Sequence, residues 1–533
     1  MSTSGAPDGA GAAAAAAEAL AALRAAVQPA LLVSCAVLLC AEACRRARAA
    51  RGVAVGGRSP PGPFAWPLVG NALQLGRLPH LAFGRMARRY GDVFQLRLGR
   101  RRVVVLNGEG AIRRALVGQG ARFAGRPDFP SFGLVSGGRS VAFGQPTARW
   151  RARRRLAHAA LRACSTADAR GRQAVERHVA GEAQDLVRLF LRLSRGGAYF
   201  EPCPLFVVAN ANVICALCFG RRYSHSDGEF LALLGRNDRF GQTVGAGSLV
   251  DVLPWLQHFP NPVRSVFRDF QALNQELHGF VCEKVAQHRR TFTPGVIRDV
   301  SDAVIAAAEH SDRPPSGLGP DDVEGAMTDI FGAGQDTTST ALSWILLLLL
   351  KHPQLQCDLQ AELDRVVGRT RLPTAEDRPS LPHLEAFIYE TLRYSSFVPI
   401  TIPHATTADV ELDGFHIPKD TVVFINQWSV NHDCRKWHDP QRFDPSRFLD
   451  AQQHLDRDRA CSVMIFSAGQ RRCIGDQLSK LQIFLFTAIL LHQCSFHANP
   501  AEHLTMDCIH GLALKPMPFT VTVKQRHPSL TDP

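Results

Sequence analysis

FSAGQRRCIG, residues 466–475, decides how the rest of the chain is read. Cys473 sits among Phe466, Gly469, Gly475 and two arginines, and a helix-patterned run, DQLSKLQIFLFTAILLHQ, follows at once. A helix N-terminus presents unpaired N–H groups and the positive end of a dipole. With Arg471 and Arg472 adjacent, the thiolate is expected to be favoured over the thiol. A persistent thiolate suits metal ligation. Gly469 and Gly475 permit turns that aim backbone N–H groups at sulfur, and Phe466 can cover a planar cofactor. A lone cysteine is ordinarily an inert buried side chain, but the whole ten-residue spacing argues against that here.

The remainder of the chain sets the context. Its 533 residues exceed one small core, and length alone suggests about three domains. The formal net charge of +13 favours acidic partners, anionic membrane surfaces or nucleic acid without choosing among them. Fourteen cysteines lack the paired, regular spacing of a secreted disulfide framework. Reduced thiols on the cytosolic side are the simpler reading.

After a short tail at 1–24, AAVQPALLVSCAVLLCAEAC (25–44) is nearly uncharged and close to the roughly 20 residues needed to span a bilayer. Arg45, Arg46, Arg48 and Arg51 follow, so the positive-inside bias places everything after them in the cytosol and the tail in the lumen. A cleaved signal peptide would carry its charge before the apolar run rather than after it. The four prolines of PPGPFAWPLVGN (60–71) forbid regular helix and close a basic, proline-rich hinge over 45–71. From 72 to 533 the pattern is mostly helical with a few strands: VFQLRLG, RRVVVLNG, DGFHIP, TVVFIN and FTVTVK.

One helix stands out. Asp321 and Glu324 have capping-box spacing, and the pattern runs to Pro353, about 30 residues or roughly 45 Å. Its middle, AGQDTTST, is poor helix sequence, with Gly334 and the β-branched Thr337, Thr338 and Thr340. Either a flat ligand approaches there, with a threonine hydroxyl bonded back to the preceding turn, or small residues serve helix–helix packing.

FSAGQRRCIG matches the F-x-x-G-x-R-x-C-x-G haem-binding loop of the cytochrome P-450 haem-thiolate monooxygenases. AGQDTT resembles their oxygen-activating stretch, ETLR (Glu390 to Arg393) their E-x-x-R pair, and FDPSRF the segment supplying a further arginine, with Ser446 where glutamate is common. The resemblance runs from the hinge to the C-terminal strands, so the three-domain expectation gives way to one large fold: mainly α with small β-sheets. RRYGDVFQLRLG, VSGGRSVAFG, VGAGSLVDVLPWLQHFPNPVR and SSFVPITIPHATT resemble vertebrate family 1, subfamily B in particular.

That resemblance implies haem b with Cys473 as axial ligand to iron, and Asp336 and Thr337 as the catalytic pair. Trp150, Arg154, His404 and Arg471 resemble the donors to the haem propionates, while Phe466 and Ala333 lie against the ring. Phe132, Asn237, Phe240, Phe331, Ala333 and Val398 would line a flat cavity, and Glu390, Arg393 and Arg447 would form a structural ion network. The implied chemistry is oxidation of aromatic hydrocarbons, steroid oestrogens, retinoids and fatty acids. NADPH electrons would arrive through NADPH-cytochrome P-450 reductase, with cytochrome b5 as a further partner and no nucleic acid. The implied location is the endoplasmic reticulum membrane, leaving open a mitochondrial destination after processing at the arginine-rich stretch. Two readings stay beside this one: a haem-thiolate peroxide isomerase and a non-catalytic haem-based sensor.

Overall fold

The computed structural model describes residues 57–243, 249–309 and 318–526; the anchor expected at 25–44 and most of the basic stretch lie outside the described residues. Among the described residues no helix is long and apolar enough to cross a membrane. The described part of the proline-rich hinge carries no helix; after a single helical turn at Ala72–Leu75, helix α1 forms over Pro79–Tyr90 with proline at its first position, where no N–H is missed. The alternating runs behind it become strands β1 (Val93–Leu98) and β2 (Arg101–Leu106). They pair antiparallel, Val93 opposite Leu106.

The helical mass follows: α2 (Ala148–Ala163), α3 (Ala169–Leu193), α4 (Cys203–Phe219), α5 (Gly228–Thr243), α6 (Pro262–Thr291), α7 (Pro320–Lys351), α8 (Pro382–Ser395) and α9 (Asp476–Gln493). Between α8 and α9 the chain returns to the first sheet. Strands β3 (His404–Ala405) and β4 (Val422–Ile425) extend it in the order β1-β2-β4-β3, with β2 and β4 parallel. Three two-stranded sheets complete the strand content of the described residues.

Helix α7 runs through the main core, its C-terminal half buried from Thr338 to Leu350 on every face. Such all-round burial requires neighbours on all sides. α4, apolar except for Asn210 and Asn212, packs along it, and a Cβ at Gly334 would meet Ile214 of α4 at 2.9 Å. The small residue at 334 therefore serves helix–helix packing, the second of the two expectations, and not an opening toward a ligand. Asn210 of α4 reinforces that seam by donating to the carbonyls of Gly334 and Gln335 at 2.8 and 2.7 Å.

The start of α7 also differs from expectation. Its N-cap is Gly319, whose N–H is accepted by the Asp322 carboxylate at 3.0 Å. Asp321 instead pairs with Arg139, and Glu324 with Arg289. Asp322 is fully buried between Arg149 and Arg153, and a buried carboxylate with two cations has better use than a surface cap.

The apolar surface expected around 249–256 is only partly one. Val250 and Val252 are buried in the cluster that holds Phe132, while Leu249 and Trp255 are exposed, together with Phe259. Two residues back from Trp255, Leu253 lies against the β1–β2 turn at Gly99. That turn is joined through Leu98 to Gly70, at the end of a hinge that exposes Trp66 and Leu68.

Candidate active site

The loop around Cys473 is closed by its own backbone: the Cys473 N–H donates to Phe466 O at 2.9 Å. Gly469, at φ +68°, lies so close to Leu116 that a Cβ would stand 1.9 Å from its carbonyl oxygen, so only glycine fits. Gly475 has an ordinary φ of −98°, and its N–H is directed at the Cys473 sulfur. The expected thiolate preference is not what the loop produces by itself. The Cys473 side chain opens onto a cleft and is exposed there; the protein packed around its other sides pushes the thiol up, and the Gly475 N–H, Arg154 and Arg472 only partly oppose it. Arg472 is engaged with Asp476, and Arg471 is turned away from sulfur to the carbonyls of Ala124, Val141 and Gly144. A coordinated cation would supply the missing charge and deprotonate the thiol.

Arg471 belongs to a second group. It stacks 3.9 Å over the Trp150 ring, and Arg126 and Arg154 lie near it. Burial, helped by the Arg126 and Arg154 charges, lowers Arg471 to about 8; burial and the Arg154 charge lower Arg126 to about 9. Burial lowers Arg154 too. Among the described residues none of the three has a carboxylate partner. Closely placed cations of this kind are unstable unless anions join them. Two carboxylates on a planar ligand beside Cys473 meet that need, so the residues present fit a haem with its propionates.

Sequence alone missed Arg126. Its guanidinium is held by the carbonyls of Ala142, Ile402 and Pro403, contacts that nothing in the local stretch FAGRPDF announces. Two expected donors are otherwise employed. The Trp150 indole N–H goes to Val141 O at 2.8 Å. His404 Nδ1 bonds Phe123 O at 2.8 Å, and burial and Arg126 keep its ring neutral, which leaves Nε2 without a hydrogen to give. Trp150 thus supports Arg471 by its ring face.

The opposite wall is α7. Thr338 Oγ1 and Ser479 Oγ, in the first turn of α9, are 3.0 Å apart. This bond ties the centre of α7 to the helix that begins just after Cys473. The Thr337 hydroxyl donates back to Ala333 O at 3.0 Å, as a mid-helix threonine is expected to, and Ala333 is exposed. Asp336 is paired with Lys515 Nζ at 2.5 Å.

One turn before Ala333, Asp329 has no cation partner among the described residues but accepts from Ser136 Oγ (2.5 Å), Ser140 Oγ (2.9 Å) and the N–H groups of Val141 and Ala142. Burial raises its pKa against those bonds. It pins the loop that carries Phe132 to the same stripe of α7 as Ala333 and Thr337. The sequence offered only an acidic residue in a helix, with no sign of the loop it holds.

The expected cavity residues divide. Phe132 makes edge contacts with Phe129 and Phe143 at 5.1 and 4.9 Å, and Phe240 stacks on Phe270 at 5.3 Å. Phe132 and Phe143 border a small cavity with Ile400, Ile402, His510 and Leu512. Val398 does not border that cavity; it is half-buried against the main core, its carbonyl accepting from Gln427. Phe331 is a correction. It is fully buried between Phe219 and Phe280, about 200° round α7 from Ala333. The Asn237 side chain lies outside the described residues.

Away from both walls, Glu390 accepts from Arg393 Nε at 2.7 Å and Arg447 Nε at 3.1 Å, all three side chains buried. The E-x-x-R pair and the later arginine thus meet as the sequence suggested.

A family model for cytochrome P450 matches residues 60–523. The chain belongs to the cytochrome P450 family. It is 56% identical over 474 residues to cytochrome P450 1B1 of Homo sapiens, covering 88% of this chain and 87% of that one. The 1B1 protein of Rattus norvegicus is 55% identical over the same length, with the same coverage. Cytochrome P450 1A1 of Oryctolagus cuniculus is 45% identical over 470 residues, 85% of this chain and 89% of that one. The higher identity to the 1B1 relatives puts this P450 with family 1, subfamily B. It is a monooxygenase that uses haem with a cysteine thiolate ligand, receives its electrons from a reductase and takes lipophilic substrates.

Proposed function

We propose that this P450 oxidises planar lipophilic molecules, among them aromatic hydrocarbons, steroid oestrogens, retinoids and fatty acids, at the cytosolic face of the endoplasmic reticulum membrane. Cys473 would be the thiolate ligand of the haem iron, and Arg126, Arg154 and Arg471 would hold the propionates. When bound, haem supplies oxygen activation: one atom of O2 enters the substrate and the other leaves as water, with two electrons from NADPH and two protons consumed. The chain's own task is to place the substrate and deliver those protons. Phe132 and Phe240 present ring faces and edges to a flat ligand.

The observation that carries the monooxygenase reading is the Asp336–Lys515 pair beside Thr337. The Thr337 hydroxyl gives its hydrogen to Ala333 O, so its lone pairs accept from a water, and the ion pair is the adjacent proton store. A sensor or a peroxide isomerase needs no such store. A Thr337→Ala variant should keep its thiolate spectrum and its substrate affinity. NADPH consumption should continue within about a factor of two, while product per NADPH falls several-fold and hydrogen peroxide rises to match. Wild-type coupling in the variant would reduce AGQDTT to a packing seam and favour the other readings.

An acidic reductase, and cytochrome b5 as a second donor, would dock where Arg151 and Arg155 stand exposed on α2, displaced from buried Trp150. With His158, Arg472 and Gln477 they border a cleft of about 640 Å³ that reaches Cys473. Replacing both arginines with glutamate should slow reductase-supported turnover by about tenfold at low salt and less at high salt, because steering by exposed charge is screened. Turnover driven by added peroxide should be unchanged; equal loss there would mean a damaged haem site. Membrane contact is ascribed to the 25–44 segment and to the exposed Trp66, Leu68, Trp255 and Phe259. Liposome flotation of a chain lacking residues 1–51 should show reduced but measurable binding, and full retention would remove the anchor from the account.

A further inference from the structure

His278 and Cys282 lie one turn apart on α6, both half-buried, and Glu324 faces them from α7; one ligand atom of each lies within 4.8 Å of the other two. The histidine is fixed by its second nitrogen. Thr328 Oγ1 donates its hydrogen to Glu324 O at 2.8 Å, so at its 2.8 Å contact with His278 Nδ1 it accepts. His278 is therefore the Nδ1–H tautomer with a bare lone pair at Nε2, the second-sphere arrangement that orients metal-binding histidines.

Nε2 stands 3.6 Å from Cys282 Sγ. Zinc–nitrogen and zinc–sulfur bonds of about 2.0 and 2.3 Å meeting at a tetrahedral angle place the two ligand atoms about 3.5 Å apart. One edge of the tetrahedron is thus already set, and short rotations of the Glu324 side chain bring the third ligand. We propose that His278, Cys282 and Glu324 bind a thiophilic divalent cation of the zinc class, with water as fourth ligand, and so clamp α6 to α7. Binding replaces the Cys282 thiol proton, which leaves to solvent. One sulfur and one imidazole select zinc over calcium or magnesium.

Glu324 also accepts from Arg289 Nη1 at 2.9 Å, so one carboxylate oxygen serves the metal while the other keeps the arginine. Two further clusters are weaker. In Glu182–Asp185–His225 both carboxylates are engaged by Arg222, and in His288–Asp299–Asp302 both Asp302 oxygens go to Arg298. The clamp would stiffen the cavity roof. Gly137, in the loop with Phe132, passes so close to His278 that a Cβ there would lie 2.8 Å from Nε2.

The test is zinc chloride added to the haem-loaded full chain, read by equilibrium dialysis with radioactive zinc, zinc K-edge absorption and thermal melting. One equivalent should bind to wild type with a single sulfur at about 2.3 Å and raise the melting temperature. His278→Gln and Cys282→Ser should each weaken that equivalent by at least about tenfold and abolish the melting shift, while Arg289→Gln should leave it as tight or tighter. Retention of the same equivalent in both ligand variants would overturn the site, as would an absorption edge showing no sulfur or several. The reduced, carbon monoxide-bound spectrum checks folding, and Glu324→Gln replaces any ligand variant that fails that check.

Discussion

Replacing Cys473 with serine is expected to abolish thiolate ligation and reduce NADPH-supported product formation to background. The argument is electrostatic. In the folded loop the surrounding protein favours the Cys473 thiol, with the Gly475 N–H, Arg154 and Arg472 opposing it. A cation on sulfur would displace that proton, which leaves to solvent, whereas a serine hydroxyl, far more basic as its anion, does not give an equivalent donor. The loop itself should persist, because Gly469 packing on Leu116 and the Cys473 N–H to Phe466 O bond do not involve sulfur. Stability of the chain without haem should therefore change by less than about 1 kcal/mol, as for an ordinary substitution away from packing defects. The measurement is the absorption spectrum of the reduced, carbon monoxide-bound protein, in which thiolate ligation has its own red-shifted band. An unchanged band in the serine variant would remove Cys473 from the ligand position.

What the sequence disclosed and what it hid separate along a physical line. Helix α9 was legible because a local apolar pattern and an N-terminal turn coincide, and its bounds are those of the pattern, Asp476–Gln493. The strands β2 and β4 were legible as runs of buried β-branched residues, VVV and VVFI. Gly334 was ambiguous because a missing side chain fits equally a ligand's approach and a neighbouring helix, and only the position of Ile214 decides. Arg126 and Asp329 were invisible for a related reason. Their partners are carbonyls and hydroxyls on segments distant in sequence, or backbone N–H groups whose direction no side-chain pattern encodes. Phe331 was misplaced by treating an aromatic residue near the right helix position as cavity-facing, when its face of α7 looks into α4 and α6.

The second large effect is expected at Glu390, where alanine should prevent accumulation of folded, haem-bound protein. Glu390 is wholly inaccessible, and its two oxygens accept from Arg393 Nε (2.7 Å), Arg393 Nη2 (2.8 Å), Arg447 Nε (3.1 Å) and the Asp444 N–H (2.8 Å). Arg393 in turn reaches Asn431 O and Pro440 O, and Arg447 reaches His438 O and Arg442 O. One carboxylate thus fastens α8 to the irregular segment 431–447, which has little regular structure to hold it. Removing the carboxylate strands the Arg393 guanidinium in a dry site and takes a partner from Arg447, and breaking a buried pair in this way costs about 3–5 kcal/mol. Native domains have only about 5–15 kcal/mol in total, so the loss is a large fraction of it. Glu390→Gln keeps an acceptor oxygen while losing the charge, and should fall between wild type and alanine. Arg447→Ala should cost less than Arg393→Ala, because Arg447 borders solvent while Arg393 does not. Thermal melting of the haem-bound protein, with the yield of thiolate-ligated spectrum, ranks the four variants. If Glu390→Ala melted with wild type, the network would be incidental to the fold, and the segment 431–447 would have to be held by packing of Trp437 and Phe448 alone.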